Sequence, residues 1–156
     1  DLEGQSLETW QRALEVNLTA VFDLSKGLAP KLKKNKNASI INMASIYGLV
    51  GPDYSLYEGT DMGNPAAYAA SKGGLLQLTR WLSTTLAPYV RVNSITPGGV
   101  FRDQPTSFVE RYETKVPLGR MSTEEDFKGA ISYLASDLSA YVTGQNLIVD
   151  GGWTVL

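Results

Sequence analysis

Residues Ala38 to Met43 read ASIINM, and Val90 to Ile95 read VRVNSI. Between them, Pro65 to Ala87 follows a helical pattern. This strand–helix–strand stretch decides the fold class. Each apolar run is short and lacks clean alternation, as expected of a strand covered on both faces. Asn64-Pro65 offers a cap followed by proline at the first helical position, and Pro88 marks the exit. A long helix between short strands indicates a parallel β-α-β unit with a right-handed crossover.

The flanks extend the same order. Ser6 is expected to cap a helix that opens with Leu7, Glu8 and Thr9 and runs to about Lys34. Trp10, Leu14, Asn17, Leu18, Val21, Phe22 and Leu28 follow its spacing. Lys31, Lys33, Lys34 and Lys36 gather at the far end, where cations are favoured, and read as a solvated helix terminus before an anion patch. Ile46 to Gly63, rich in Gly, Tyr and Asp, reads as a loop. Pro97-Gly98-Gly99 stops the second strand, and Val100 to Pro117 is a polar segment with a helical stretch around Ser107 to Thr114. Thr123 is expected to cap another helix, with Glu124, Glu125 and Asp126 in its first turn and Ile131, Leu134 and Ala135 on its apolar face. Asn146 to Val149 (NLIV) is the last strand, ended by Asp150-Gly151-Gly152. The expectation is an α/β fold with about three parallel strands and three major helices. Three strands leave two open edges, which further strands or a partner would have to cover.

Composition narrows the chemistry. The chain has 156 residues, 14 Lys+Arg, 16 Asp+Glu, a net charge of −2, and neither His nor Cys. The length fits one domain with a real core. The charge balance gives no general field for nucleic acid or acidic membranes. Without His and Cys, the usual transition-metal ligands and every Ser-His or Cys-His nucleophile are excluded, and no metal site is expected. Acid–base work falls to Asp, Glu, Lys or Tyr. No apolar run reaches the roughly 18 residues of a membrane span, and Asp1 to Arg12 is polar, so a soluble protein is expected.

The sharpest local feature is Tyr68-Ala-Ala-Ser71-Lys72 near the start of the long helix. At i and i+4, phenol and ammonium share one helix face. A phenol ionises near pH 10, and a neighbouring cation favours the phenolate. Such a pair makes an acid/base from an ordinarily inert residue. An exposed helix pair is the competing reading, and context weighs against it. Ser45 lies just past the carboxyl end of the first strand, where parallel sheets place their sites. Asn17 falls within a helical pattern, where Asn is a poor former, and its neighbours Val16 and Leu18 suggest an interior position. The glycines after Pro97 allow the backbone to approach a ligand.

In order and spacing, several stretches together resemble the short-chain dehydrogenase/reductase family: VNLTAVF with Asn17, SIINMAS with Ser45, YAASK, VRVNSITPGG, PLGR and YLASDLSAYVTGQNLIVDGG. The resemblance implies a Rossmann-like doubly wound parallel sheet, of which residues 1–156 would be the carboxyl-terminal, catalytic half of a single domain. It implies hydride transfer between NAD or NADP and a carbonyl/alcohol substrate. Tyr68 would be the acid/base, Lys72 would lower its pKa and bind the nicotinamide ribose, Ser45 would hold the substrate oxygen, and Asn17 would support the proton relay. Cofactor contacts would come from Tyr68, Lys72, Pro97, Gly98 and Val100, and substrate contacts from Ser45, Tyr68 and Gly99. A cytoplasmic homodimer or homotetramer is implied, with the Ser6–Lys34 and Pro65–Ala87 helices as the main contact.

Three features depart from the family pattern. The Gly-rich dinucleotide fingerprint is absent, and with it the residue that chooses NAD or NADP. Roughly three further β-α units of about 30 residues would precede Asp1 in a complete enzyme. The Ser45–Tyr68 separation is long, and no Lys or Arg occurs between Asn37 and Lys72. The extra segment, with Asp53, Tyr54, Tyr57, Glu58 and Asp61, is expected to be either a lid for a neutral, sugar-like substrate or a surface or subunit-contact loop. Phe101-Arg102-Asp103 stands where the family often has Thr; Arg102 is read as a surface salt bridge before an anion ligand. Val100 to Pro117 is expected to cover the substrate. Two other functions stay open: a nucleotide-sugar dehydratase or epimerase with a similar Tyr-Lys pair, and an inactive truncated module. The 156-residue chain alone is predicted to bind NAD(H) or NADP(H) poorly; micromolar affinity by titration calorimetry would overturn that expectation.

Overall fold

The computed structural model describes residues 2–156. Three parallel strands, β1 (Ala38–Met43), β2 (Val90–Pro97) and β3 (Asn146–Val149), form one sheet in the order β1-β2-β3. Ala38 pairs with Val90 and Met43 with Ile95, while Ser94 pairs with Asn146 and Pro97 with Val149. The helices are α1 (Leu7–Leu14), α2 (Ala20–Leu32), α3 (Ala66–Leu86), α4 (Thr106–Lys115) and α5 (Glu125–Ala135). Leu82 and Leu86 of α3, joined by Ala29 and Leu32 of α2, pack on Val90, Val92, Ala38 and Ile40. Phe127, Ala130 and Leu134 of α5 cover the opposite face, against Ile95, Ile41, Leu147 and Val149. Helices on both faces of a parallel sheet are the doubly wound arrangement that the apolar strands require.

The three strands lie where the sequence put them, with β2 extended to Pro97. Several local expectations change. The first helical segment is broken by a π-helical turn over Glu15–Thr19, which inserts an extra residue around Asn17. Val16 there is exposed, so it marks no interior position. Among the described residues β1 lies at one edge of the sheet with a half-covered pattern, and Met43 is exposed. Pro65, in extended conformation, takes the cap position of α3 that was expected of Asn64. Thr123 accepts no capping bond; Asp126 reaches back to accept from the Thr123 N–H at 2.8 Å, the carboxylate half of a capping box. Arg120 pairs with the same carboxylate, and both interactions hold Asp126 well below the usual carboxylate range. Ile131 and Ala135 are exposed, and Phe127, Ala130 and Leu134 form the buried face of α5. Among the described residues, no helix is long and apolar enough to cross a membrane.

The segment between β1 and α3 is clamped. It contains short 3-10 turns at Ile46–Gly48 and Tyr54–Tyr57. Leu56 is completely buried against Phe108, Tyr112, Val116 and Met121. Asp53 pairs with Lys115 of α4, which together with Ser55 holds its carboxyl below the ordinary value. Arg111 donates to the carbonyls of Leu56 and Glu58 at 3.2 and 2.5 Å. Gly48 sits directly on α3: a Cβ there would lie 2.7 Å from the Lys72 carbonyl carbon and 2.9 Å from the Gly73 nitrogen. Backbone atoms cannot swing aside as side chains do. Gly48→Ala in the full-length protein should therefore cost about 1–3 kcal/mol of stability, read as a lower urea midpoint; an unchanged midpoint would show that the turn can retreat.

Candidate active site

A cleft of about 330 Å³ opens at the carboxyl ends of β1 and β2. It gathers Ser45, Tyr68, Lys72, Pro97, Gly98, Gly99 and Val100, seven of the eight residues singled out from sequence. The eighth, Asn17, does not line it. The Asn17 Nδ2 instead donates to Ser71 Oγ at 3.1 Å, and Ser71 donates to the Tyr68 carbonyl at 2.8 Å. Asn17 therefore braces the first turn of α3 from behind, from within the π-helical turn. Gly74 permits that contact, because a Cβ there would meet Leu18 at 2.9 Å.

Ser45 ends the strand extension after β1 and caps the turn that follows. Its side chain is buried and its Oγ accepts from the Tyr47 N–H at 3.2 Å, which leaves the hydroxyl proton for another acceptor. Tyr68 and Lys72 project from one face of α3. Lys72 Nζ donates to the Met43 carbonyl at 2.8 Å and lies 5.7 Å from the centre of the Tyr68 ring. One donor is thus tied to the strand end and two remain. Burial pushes the Lys72 ammonium below its ordinary pKa. The Tyr68 hydroxyl has no protein partner among the described residues.

The opposite wall comes from β2 and α4. Gly98 N–H is taken by the Val149 carbonyl at 3.0 Å, and Gly99 N–H by Tyr112 Oη at 2.6 Å. The Val100 N–H has no protein partner among the described residues. Both glycines are required by packing: a Cβ at Gly98 would lie 2.8 Å from Asp150 Cα, and one at Gly99 would lie 2.8 Å from the Tyr112 ring. Tyr112 stacks on Trp153 with centroids 4.7 Å apart, and burial raises its pKa. Asp150 fixes the chain beyond β3 by accepting from Gly152 N–H and from the backbone and hydroxyl of Thr154.

Several wall residues were not singled out from sequence as site residues: Tyr47, Gln104, Phe108, Tyr112 and Met121. The spacing of Phe108 and Tyr112, i and i+4 on a helix, was the available signal. Of Asp53, Tyr54, Tyr57, Glu58 and Asp61, only Tyr57 lines the cleft, where its hydroxyl lies 2.7 Å from that of Tyr47. Burial raises both phenols above their ordinary pKa, so both stay protonated. Asp53 is spent on Lys115, away from the cleft. Arg102 forms the expected surface salt bridge, with Glu124 at 2.8 Å.

The family model described as enoyl-(acyl carrier protein) reductase, of the short-chain alcohol dehydrogenase group, matches residues 1–154. The chain belongs to the short-chain dehydrogenase/reductase family. It is 39% identical over 154 residues to a trans-4-hydroxycyclohexanecarboxylate dehydrogenase from Sinomonas cyclohexanicum, covering 98% of this chain and 55% of that protein. It is 33% identical to the 3-oxoacyl-[acyl-carrier-protein] reductase FabG of Thermotoga maritima, covering 95% of this chain and 58% of the relative. A solved short-chain dehydrogenase from Leptospira borgpetersenii with bound NAD+ superimposes with a TM-score of 0.91 at 41% identity, covering 98% of this chain and 59% of that one. A gluconate 5-dehydrogenase from Burkholderia cenocepacia, in complex with NADP and tartrate, gives 0.84 at 27% identity, covering 99% of this chain and 60% of that one. The chain thus spans a little over half the length of these relatives.

Tyr112→Phe keeps the stacked ring and removes the acceptor for the Gly99 N–H. Orphaning this half-buried donor should destabilise the full-length protein by about 1 kcal/mol, measured by urea denaturation. A midpoint equal to wild type would mean that the Gly99 N–H finds another acceptor.

Proposed function

We propose that this chain is the carboxyl-terminal catalytic part of a single Rossmann-type domain, and that the whole protein is an NAD(P)-dependent oxidoreductase acting on a small carbonyl/alcohol substrate. The observation that carries the reading is the convergence of Tyr68, Ser45, Lys72 and the Pro97–Val100 backbone on one cleft. The coverage of relatives supports a cofactor-phosphate-binding part supplied from outside these residues.

The donor set fits the nicotinamide-ribose end of a dinucleotide. Lys72 has two uncommitted donors beside the Tyr68 ring, suited to ribose hydroxyls. The Val100 N–H and the Pro97 and Gly98 backbone suit a carboxamide. None of the 15 glycines of these 156 residues falls in a G-x-G-x-x-G loop that would hold the pyrophosphate. When bound, the nicotinamide gives or takes the hydride.

The chain's own residues handle the proton and the orientation. In oxidation, Tyr68 Oη accepts the proton from the substrate hydroxyl; in reduction it returns a proton to the carbonyl oxygen. Lys72 stands beside the Tyr68 ring and holds the ribose. Ser45, whose Oγ already accepts from Tyr47, donates its proton to the substrate oxygen. Asn17 supports the relay from behind α3 through Ser71. Gly99 lies against the substrate space, and Tyr112 fixes its backbone. The hydroxy acid and sugar-acid enzymes among the relatives favour a small hydroxylated substrate. The reading includes a cytoplasmic homo-oligomer, for which Leu24 and Leu28, exposed four residues apart on α2, offer an apolar contact.

Tyr68→Phe in the full-length protein removes the proton carrier and little volume. Turnover of secondary alcohols, followed by cofactor absorbance, should fall by at least about 10²-fold, with the thermal midpoint unchanged. Wild-type rates in this variant would overturn the mechanism. Product formation without net cofactor absorbance change would favour the epimerase or dehydratase reading.

A further inference from the structure

Five successive backbone N–H groups follow β2, and four of them are held within the protein. Gly98 donates to the Val149 carbonyl at 3.0 Å, Gly99 to Tyr112 Oη at 2.6 Å, Phe101 to the Ser122 carbonyl at 2.9 Å and Arg102 to Gln104 Oε1 at 2.7 Å. In this run Val100 alone keeps its N–H without a partner among the described residues, and it lines the cleft with Tyr68 and Lys72. Backbone donors withdrawn from bulk water nearly always find a partner. This one is left to water or to a ligand in the cleft.

One side chain holds the turn around it. Gln104 Nε2 donates to the Val100 carbonyl at 2.8 Å while Gln104 Oε1 accepts from the Arg102 N–H. The amide therefore bridges the two peptide groups that flank Phe101. The peptide joining Val100 to Phe101 is held at both its polar atoms, the carbonyl by Gln104 and the N–H by Ser122. Ser122 in turn donates its own N–H and its hydroxyl to the Gly99 carbonyl, both at 2.9 Å. Gln104 reaches back because the chain reverses at Asp103, whose φ of +55° is left-handed. Asp enters that region more readily than most residues do.

We propose that Gln104 is a positioning residue for the cofactor: its amide fixes the Val100 peptide so that the Val100 N–H is presented to the carboxamide oxygen of the nicotinamide. This rests on the oxidoreductase reading of the cleft, and it adds a side chain that acts through the backbone. Gln104 works on the orientation of the ring and takes no part in the proton transfer at Tyr68.

The test is titration calorimetry on the full-length protein with three ligands. The first is NAD+ or NADP+, whichever binds more tightly. The second is its thionicotinamide analogue, whose sulfur is a weak acceptor. The third is ADP-ribose or its 2′-phosphate, which lacks the ring. Wild type should bind the natural dinucleotide about fivefold more tightly than the thio analogue, the ratio that one neutral hydrogen bond supplies. Gln104→Leu, close in size, should abolish that preference and bind the ring-less ligand as wild type does. Asp103→Pro, which forbids the left-handed turn and leaves Gln104 in place, should do the same. No preference in the wild type, a preference that persists in Gln104→Leu, or a loss shared equally by all three ligands overturns the proposal.

Amide hydrogen exchange on the wild type gives a reading that needs no variant. Val100 should exchange fastest of the five amides, and Arg102, held by Gln104, more slowly. The dinucleotide at ten times its Kd should slow Val100 about tenfold, and the ring-less ligand should not. An Arg102 amide as fast as Val100, or a Val100 rate unmoved by the dinucleotide, overturns the proposal even where a variant fails to fold. A wild type that binds neither NAD+ nor NADP+ removes the oxidoreductase reading itself. A wild type that binds and turns over, with no effect of Gln104→Leu on the preference, removes only the role of Gln104.

Discussion

The approach of the Gly48 turn to the backbone of α3 holds the two sides of the candidate site in register. Ser45 is carried by the strand end and Tyr68 and Lys72 by a helix that begins at Ala66, so nothing in local sequence sets their separation. The contact does: the space for a Cβ at Gly48 is already filled by the Lys72 carbonyl and the Gly73 nitrogen. The bond from Lys72 Nζ to the Met43 carbonyl ties the same two elements from the functional side. One contact excludes a side chain and the other uses one, and together they leave little freedom in how the turn meets the helix. Preorganisation of this kind is what a proton-transfer site needs, because its groups must be in place before the substrate oxygen arrives.

The far wall is positioned by polar atoms buried in pairs. Asn93, fully buried on β2, accepts from the Gln145 N–H at 3.0 Å and donates to the Val142 carbonyl at 2.9 Å, which fixes the approach to β3. Asn146 accepts from both Ser94 and Thr96. Asn42 donates to Thr79 at 2.9 Å and so fastens β1 to α3 through the core. Such groups are tolerated in the interior because each finds its partner. Asn64 is the exception: its side-chain amide finds no partner among the described residues.

The strands were legible because short, apolar, turn-bounded runs carry their own signal, and ASIINM and NLIV keep the bounds read from sequence. Tyr68, Lys72, Ser45 and the Pro97–Val100 segment were legible because they sit at element ends and at i and i+4 spacing. What stayed hidden depends on distant contacts. Tyr112 matters because its hydroxyl meets an N–H 13 residues away, and its own polar stretch gives no hint of this. Asp53 looked free to meet a substrate until α4 brought Lys115 to it. The π-helical turn at Glu15–Thr19 was invisible to a 3.6-residue pattern, which reads straight through one inserted residue. The capping of α5 was reversed, because Thr123 and Asp126 can each serve either end of the same motif.

The central claim is that one cleft brings an acid/base phenol and a serine hydroxyl to a single substrate oxygen. A crystal structure of the full-length protein with cofactor and a bound alcohol or ketone tests it most directly. The account predicts that oxygen within about 2.6–3.2 Å of both Tyr68 Oη and Ser45 Oγ, with Lys72 Nζ on the ribose. A substrate oxygen held by other groups, with Tyr68 and Ser45 both out of reach, would contradict it.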